Sequence, residues 1–192
     1  MTPFIPTKTA LVLIDLQNGT LGMPLAPHDR HAVVAAARRL IEAVKGAGGV
    51  IVEVRVGFSE GAADRLAQPV DAAMTLPPGG FPADWSERTP ELADLSPTIS
   101  ILKRHWSAFF GTELDLQLRR RGIEAVIVCG VATNFGVEQT ARDAWHLNYR
   151  VVIAEDASSS FGEGMHAFAV ERILPRVAQV RRTAEIVAAF NG

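Results

Sequence analysis

An apolar segment that runs into a glycine and then a short turn constrains this chain more than any other feature. Residues 125–129 (AVIVC) are all apolar, which is typical of a strand buried on both faces of a parallel sheet. Gly130 ends this segment, and the residues after the following turn have the spacing of a helix. Ligands of α/β proteins bind at the carboxyl ends of such strands. The turn joins the helix at Gly136, so the expected binding site presents backbone there instead of a side chain.

Strand-like and helix-like segments alternate along the rest of the chain. This alternation predicts a single-domain, three-layer α/β/α fold over residues 1–192, with a mostly parallel six-stranded sheet. The predicted strands are 9–14, 50–56, 99–102, 125–129, 150–154 and 177–180, and the predicted helices are 28–45, 112–121, 135–147, 162–173 and 183–190.

One long segment, residues 57–97, interrupts this alternation. It is rich in proline, glycine and alanine, and it is long for a connection inside a compact domain. Segments of this kind are usually lids, binding loops or oligomer contacts, and a disordered excursion is the alternative. Phe81, Trp85 and Leu92 argue against complete disorder, so we expect a lid or an oligomer-contact segment.

Composition narrows the possible partners. A chain of 192 residues can bury a substantial core, and its net charge of −2, with acids and bases mixed, gives no signal for nucleic-acid binding. The single cysteine, Cys129, excludes an intrachain disulfide and any metal site with several cysteine ligands. No signal-peptide pattern and no apolar run of membrane-spanning length are present. We therefore expect a cytoplasmic protein with a small-molecule substrate and no membrane partner.

Common cofactor and nucleophile motifs are absent from the sequence. There is no G-x-G-x-x-G after the first strand, no G-x-x-x-x-G-K-[ST] and no G-x-S-x-G. The histidines are scattered, and they are predicted to be surface residues without a metal ion: His28, His31, His105, His146 and His166. The sequence therefore predicts neither a cofactor nor a metal.

Three positions at strand ends remain as candidates for chemistry. Asp15 directly follows the first predicted strand, Lys103 follows the strand at 99–102, and Gly136 follows the strand at 125–129. Carboxyl ends of parallel strands meet at one edge of a sheet, so these three positions can converge. The alternatives are a turn or cap residue for Asp15, and a solvated lysine beside Arg104 for Lys103.

Three segments carry a resemblance to a known family. They are ALVLIDLQNG at 10–19, LKRHWSAFFGTELDLQLRRRGIEAVIVCGVATNFGVEQTARDA at 102–144, and VVIAEDASS at 151–159. Together they make the chain similar to the isochorismatase-like (cysteine hydrolase) family, whose fold is a single α/β domain with a parallel sheet. The resemblance implies that Asp15 is the catalytic aspartate and Lys103 the catalytic lysine, and that Gly136 stands where related amide hydrolases have their nucleophilic cysteine. The Asp-x-His metal pattern of nicotinamidases is missing after the second predicted strand, where this chain has VRVGFSEGAAD.

The family has a glycine-bearing branch that includes isochorismatases, which hydrolyse a vinyl ether and release pyruvate. The resemblance therefore implies acid-assisted hydrolysis of a small carboxylate-bearing metabolite, such as a vinyl ether, without a covalent thiol intermediate. In that interpretation Asp15 is the general acid, Lys103 orients Asp15 and balances a substrate carboxylate, and Gly136 leaves room for substrate or water. A catalytically silent metabolite-binding protein and an amide hydrolase that activates water are the alternatives. Family members commonly self-associate, so a homo-oligomer is expected.

The remaining candidates are substrate-binding positions near these three. Aromatic residues after Lys103 are expected to wall an apolar pocket, with plain core or oligomer packing as the alternative. Gln17 is expected to bond substrate or Asp15, with ordinary turn chemistry as the alternative, and Asn134 also fits a helix N-cap. The predicted substrate-binding set is Gln17, Trp106, Phe110, Val131, Ala132, Thr133, Asn134 and Phe135.

Overall fold

A parallel sheet forms the centre of the computed structural model, which describes residues 2–73 and 75–190. The strand order is β7-β6-β5-β1-β3-β4, with parallel pairing throughout, and the short β2 pairs antiparallel with the end of β6. The strands are β1 (Thr9–Ile14), β2 (Leu25–Ala26), β3 (Val50–Val56), β4 (Ile99–Lys103), β5 (Ala125–Val131), β6 (Arg150–Phe161) and β7 (Gln179–Arg181).

Helices cover both faces of this sheet. Single turns of 3-10 helix lie at Pro6–Lys8, Glu60–Ala62, Pro90–Leu92 and Leu174–Arg176, and π-helical turns lie at Thr133–Val137 and Ala169–Ile173. The α-helices are α1 (Asn18–Leu21), α2 (Arg30–Gly46), α3 (Leu114–Arg120), α4 (Glu138–His146), α5 (Met165–Phe168) and α6 (Thr183–Ala188).

The central strand β1 is buried on both faces, as its unbroken apolar sequence predicts. Leu11 and Leu13 point into a core shared with α2 and α6, whereas Val12 and Ile14 point into a second core shared with α3 and α4. This alternation with period two divides the apolar side chains between two layers. The predicted three-layer α/β/α architecture is therefore confirmed.

The described residues form a seven-stranded sheet, one strand more than the sequence predicted. The additional strand, β2, has two residues and gives no periodic pattern. The fifth predicted strand, 150–154 (RVVIA), also extends farther, because β6 continues through a polar stretch to Phe161, where it pairs with Leu25. Helix 162–173 was predicted as one element, but it is divided into α5 and a π-helical turn.

The long segment 57–97 is fixed to the sheet along its second half. Arg88 donates from Nη2 to Oε2 of the buried Glu53 at 2.9 Å, and Glu53 lies on β3. Trp85 covers α1 so closely that a Cβ atom on Gly19 would lie 2.1 Å from its indole nitrogen. The Trp85 ring also packs on Phe81, with ring centroids 4.3 Å apart. That segment 57–97 acts as a lid or an oligomer contact stays a prediction.

No helix within residues 2–73 and 75–190 is both long and apolar enough to cross a membrane.

Gly130 allows β5 to approach the end of β1. Its φ is +125°, and a Cβ atom there would lie 2.0 Å from the carbonyl oxygen of Ile14. Gly130 and Ile14 are paired across the two strands. Only glycine fits this conformation and this contact, because any side chain would collide with backbone. The glycine therefore fixes the position of the residue after Ile14, which is Asp15.

We predict that Gly130→Ala lowers the free energy of unfolding by at least about 3 kcal/mol, because the Cβ atom would strike the Ile14 carbonyl. The matched control is Gly46→Ala near the end of α2, where a Cβ atom would meet nothing within 4 Å. That control should leave stability unchanged or raise it by up to about 1 kcal/mol. Urea unfolding followed by circular dichroism measures both, and equal stability of the two variants would contradict the packing argument.

Candidate active site

A buried ion pair lies at the carboxyl edge of the sheet. Lys103, the last residue of β4, donates from Nζ to Oδ2 of Asp15 at 2.6 Å. Both side chains are almost completely excluded from solvent, with 2% of Lys103 and 6% of Asp15 exposed. Lys103 also donates to the carbonyl oxygen of His105 at 3.0 Å. The pair spans the width of β3, which lies between β1 and β4 in the sheet.

The backbone holds Asp15 in an uncommon conformation. Its φ is +51°, in the left-handed region that aspartate tolerates better than most residues with a side chain. The Asp15 N–H donates to the carbonyl oxygen of Val54 at 2.9 Å, and the Thr20 hydroxyl donates to the Asp15 carbonyl oxygen. These bonds turn the chain sharply after β1 and hold the carboxyl group at the strand end.

Burial makes Asp15 a proton carrier near neutral pH. Loss of hydration raises the pKa of Asp15 to about 6, and the charge and hydrogen bond of Lys103 oppose this rise. Oδ2 accepts from Lys103, whereas Oδ1 is buried and has no hydrogen-bond partner among the described residues. Oδ1 is therefore the oxygen available to carry a proton.

Gly136 completes the group of three strand-end positions. It lies in the turn Thr133–Val137, which leads directly into α4. A Cβ atom on Gly136 would lie 3.5 Å from Asp15 Oδ2 and 3.5 Å from the carbonyl oxygen of Trp106. It would also lie 3.0 Å from the Ile14 side chain, which would have to give by a few tenths of an ångström. The structure thus brings Asp15, Lys103 and Gly136 together, and a side chain at position 136 would adjoin the carboxyl group.

Two of the predicted aromatic residues stand beside this group. The rings of Trp106 and Phe135 have centroids 4.9 Å apart, and Trp106 is about half exposed. The Trp106 carbonyl oxygen faces Gly136, so this aromatic pair borders the site. Phe110 is 73% exposed and contacts the His105 ring, with centroids 5.2 Å apart. The structure therefore places Trp106 and Phe135 at the site and Phe110 at the surface beside it.

Gln17 has a different position from the one expected of a substrate contact. Its side chain is fully buried, and Nε2 donates to the carbonyl oxygens of Val56 at 2.9 Å and Trp85 at 3.1 Å. Its Oε1 accepts from the Val56 N–H at 2.8 Å. Both amide protons are used, so Gln17 joins the end of β3 to the segment 57–97. These long-range bonds differ from the local turn chemistry that the sequence left as the alternative, and we leave Gln17 out of the proposed substrate contacts.

The turn between β5 and α4 is held by bonds to its flanks. Val131 ends β5, and the carbonyl oxygen of Ala132 accepts from the N–H groups of Phe135 at 3.1 Å and Val137 at 3.2 Å. The polar side chains point toward β6 and the segment after it. Thr133 Oγ1 lies 2.8 Å from His166 Nδ1, and the Ser160 hydroxyl donates to the side-chain oxygen of Asn134.

Asn134 is therefore not the N-cap of α4, because it lies inside the helical turn and its side chain is bonded to β6. Within the turn, the backbone at Gly136 lies beside Asp15. The side chains of Thr133 and Asn134 are hydrogen-bonded to other parts of the protein. The shape of the turn is thereby fixed independently of any ligand.

Sequence reasoning missed a second polar group beyond this turn. His166 was predicted at the surface, but it is only 4% exposed, and its carboxylate and imidazole neighbours are Glu155 and His28. These residues are far apart in sequence, so no spacing motif identifies them.

Cys129 is buried as predicted, and burial raises the pKa of its thiol to about 12. A thiol with that pKa stays protonated, so Cys129 is no substitute for a nucleophile at position 136.

Comparisons with known proteins agree on one family. The family model described as the Isochorismatase domain matches residues 9–185. The chain is 45% identical over 182 residues to the isochorismatase family protein YecD of Escherichia coli O157:H7, which covers 95% of this chain and 96% of YecD. It is 31% identical over 180 residues to the ureidoacrylate amidohydrolase RutB of Stutzerimonas stutzeri (strain A1501), which covers 81% of this chain and 71% of RutB. A solved isochorismatase family protein from Burkholderia thailandensis shares 36% identity with a TM-score of 0.91, over 100% of both chains.

We predict that Gly136→Cys introduces a thiol that iodoacetamide labels in the native protein, because its Cβ atom would lie beside Asp15, two residues before α4 begins. The unsubstituted protein is the control. Its Cys129 should stay unlabelled until the protein is unfolded, because burial excludes the reagent and keeps the thiol protonated. Mass spectrometry of the labelled chains measures both. Equal native labelling of the two proteins would show that position 136 is closed to a reagent.

Proposed function

The chain belongs to the isochorismatase family of hydrolases, and we propose that it hydrolyses a small carboxylate-bearing metabolite without a covalent thiol intermediate. A vinyl ether of the isochorismate type is the leading substrate class. The observation that carries the proposal is the Asp15–Lys103 pair beside a glycine where a nucleophile would stand. A vinyl ether is cleaved by protonation and water addition, so its hydrolysis needs an acid and no nucleophilic side chain.

The reaction begins with a proton held on Asp15. The carboxyl group transfers this proton to the terminal enol carbon, and the carbon attached to the ether oxygen becomes an oxocarbenium ion. Water adds to that carbon, the resulting hemiketal releases the alcohol and pyruvate, and Asp15 regains a proton from the added water. A pKa of about 6 leaves a reactive protonated fraction at neutral pH. A positioned general acid contributes about 10²–10⁴-fold to the rate.

Lys103 and the turn supply the surroundings for this step. Lys103 holds Oδ2 and so orients the carboxyl group, and its positive charge balances either ionised Asp15 or a substrate carboxylate. Trp106 and Phe135 would cover the apolar side of the substrate. In this proposal the backbone amides at Val131, Ala132 and Gly136 supply fixed dipoles for charge that develops on oxygen.

A second candidate reaction is amide hydrolysis through activated water. It is favoured by the 31% identity to RutB, which is named a ureidoacrylate amidohydrolase. Here the ionised form of Asp15 would act as a general base on water, since Gly136 offers no nucleophile. The two reactions need opposite protonation states of the same carboxyl group, and this difference makes them experimentally separable.

We predict that Asp15→Asn lowers kcat for the cleaved substrate by about 10²–10⁴-fold, because an amide cannot deliver or accept the proton. Pyruvate release from isochorismate, followed with lactate dehydrogenase, and ammonia release from ureidoacrylate form the assay pair. The matched control is Asp71→Asn in the exposed part of segment 57–97, which should keep full activity. Turnover that survives Asp15→Asn would overturn the mechanism. Substrate binding by thermal shift with no turnover of any vinyl ether or amide would show a binding protein.

We predict that the pH profile of kcat/KM identifies the role of Asp15. If Asp15 acts as an acid, activity is highest below pH about 6 and falls as the proton is lost above it. If Asp15 acts as a base, activity rises through the same pH. Lys103 lowers the pKa of Asp15. Lys103→Met should therefore move the limb of the pH profile that reports this pKa to higher pH, whether Asp15 acts as an acid or as a base.

The matched control for that substitution is Arg104→Met, which removes the adjacent cation. Arg104 pairs with Asp64 instead, at 2.6 Å, so the limb should stay where it is in the unsubstituted protein. Circular dichroism must first show that the Lys103→Met chain folds, because it buries an unpaired carboxyl group. A limb that does not move in the folded Lys103→Met variant would assign the titration to another group.

A further inference from the structure

A second cluster of ionisable side chains lies beside the turn that contains Gly136, where His166 contacts Thr133. It consists of His28, Glu155 and His166, whose potential ligand atoms all lie within 4.8 Å of one another. His166 Nε2 is 3.7 Å from Glu155 Oε2, and the rings of His28 and His166 meet edge to face with centroids 5.4 Å apart. Neither the sequence motifs nor the proposed reaction uses these residues.

One ring nitrogen of each histidine in this cluster is buried without a hydrogen bond from the described residues. His28 Nε2 and His166 Nε2 are both inaccessible to solvent and have no hydrogen bond within residues 2–73 and 75–190. His166 as a whole is 4% exposed. Buried imidazole nitrogens that receive no hydrogen bond lose their hydration without compensation, and a native protein rarely contains two of them side by side. A ligand that accepts both lone pairs would remove that cost.

The side chain of His166 is oriented in the way that is common for metal-binding histidines. Its Nδ1 is 2.8 Å from the Thr133 hydroxyl, which fixes the orientation of the ring. Metal-binding histidines commonly bond one nitrogen to a neighbouring group and present the other to the ion. Burial and the neighbouring His28 lower the pKa of His166, whereas the neighbouring Glu155 opposes this shift.

All three residues are tied to one rigid element, β6. Glu155 lies on β6 itself, and His166 lies on α5, which follows it. His28 follows β2, which pairs with the end of β6, and the backbone N–H of His28 donates to Ser159 Oγ at 3.2 Å. Glu155 Oε1 faces Arg182 at 3.4 Å, which leaves Oε2 directed at His166. The ligand atoms are therefore held by strand pairing and not by a mobile loop.

We propose that His28, Glu155 and His166 bind one divalent transition-metal ion, with Zn²⁺ as the best fit. Two imidazoles and one carboxylate form a recognised ligand set for zinc, and at bond lengths of about 2.0–2.2 Å the ligand atoms would be about 3.3 Å apart. In the structure the ligand atoms lie within 4.8 Å of one another. Small side-chain rotations that shift these atoms by about an ångström would bring them to the spacing that zinc requires. Three protein ligands leave a coordination position for water or another small ligand.

The ion would act on the candidate active site through Thr133. This residue opens the turn that contains Gly136, and its hydroxyl holds His166. Metal binding would fix His166 and thereby stiffen the turn at Thr133. This metal site is separate from the segment after β3, where the Asp-x-His pattern of nicotinamidases is missing from the sequence. The proposal is independent of which substrate the Asp15 site cleaves.

The test measures metal binding directly on the full chain after treatment with a chelator and dialysis. Calorimetric titration with ZnCl₂ should give one ion per chain with a dissociation constant in the micromolar range or below, and Zn²⁺ should raise Tm. Titration with CoCl₂ should give the visible absorption bands of a four- or five-coordinate ion. His28→Ala and Glu155→Gln should each weaken Zn²⁺ binding by at least about 10-fold.

His31→Ala is the matched control, because His31 is an exposed histidine in the first turn of α2, three residues after His28, and its loss should leave the affinity unchanged. Two variants at different elements keep the test valid if one of them fails to fold. Absence of Zn²⁺ binding below the millimolar range, or equal affinity in His28→Ala, Glu155→Gln and the unsubstituted protein, would overturn the proposal. Loss of binding in His31→Ala alone would place the metal at the surface and would also overturn it.

Discussion

The buried ion pair between Asp15 and Lys103 is the interaction on which the arrangement of the sheet edge depends. Removing both charges from water costs several kcal/mol per ion, and their attraction compensates only if the geometry is well defined. The surrounding structure supplies that geometry. The close approach at Gly130 fixes the end of β1, and the left-handed conformation of Asp15 turns its carboxyl group toward Lys103. Such a pair is a poor source of stability, so its presence argues for a chemical role.

Neighbouring polar groups serve mainly to hold this edge in place. Gln17 uses its whole amide on the backbone of Val56 and Trp85, and Thr20 bonds the carbonyl oxygen of Asp15. On the other side, Asn134 is bonded to β6. Because these side chains are satisfied by the protein, the backbone around the site is set before any ligand arrives. A preorganised site of this kind stabilises charge without reorganising during the reaction.

Most of the fold could be predicted from sequence because β1 and β5 are continuous apolar strands, and β3 is largely apolar, in a chain where strands and helices alternate. The parts that could not be predicted have no apolar pattern. β2 has only two residues, and β6 continues through polar residues because it pairs with β2 and β5. At the site, Asp15 and Lys103 were identifiable because they directly follow apolar strands. The burial of His166 was not, because it depends on contacts with residues that are distant in sequence.

Because position 136 is a glycine, the reaction at this site depends on the protonation state of Asp15 and not on a nucleophilic side chain. A thiol there would fix the chemistry as attack by sulfur, whatever the protonation state of its neighbours. With glycine, the nearest reactive group is the Asp15 carboxyl, and its pKa of about 6 makes both of its forms available near neutral pH. The protonated form is an acid for a vinyl ether, and the ionised form is a base for water beside an amide. The same geometry therefore supports both reactions, and the balance between burial, which favours the proton, and Lys103, which opposes it, selects between them.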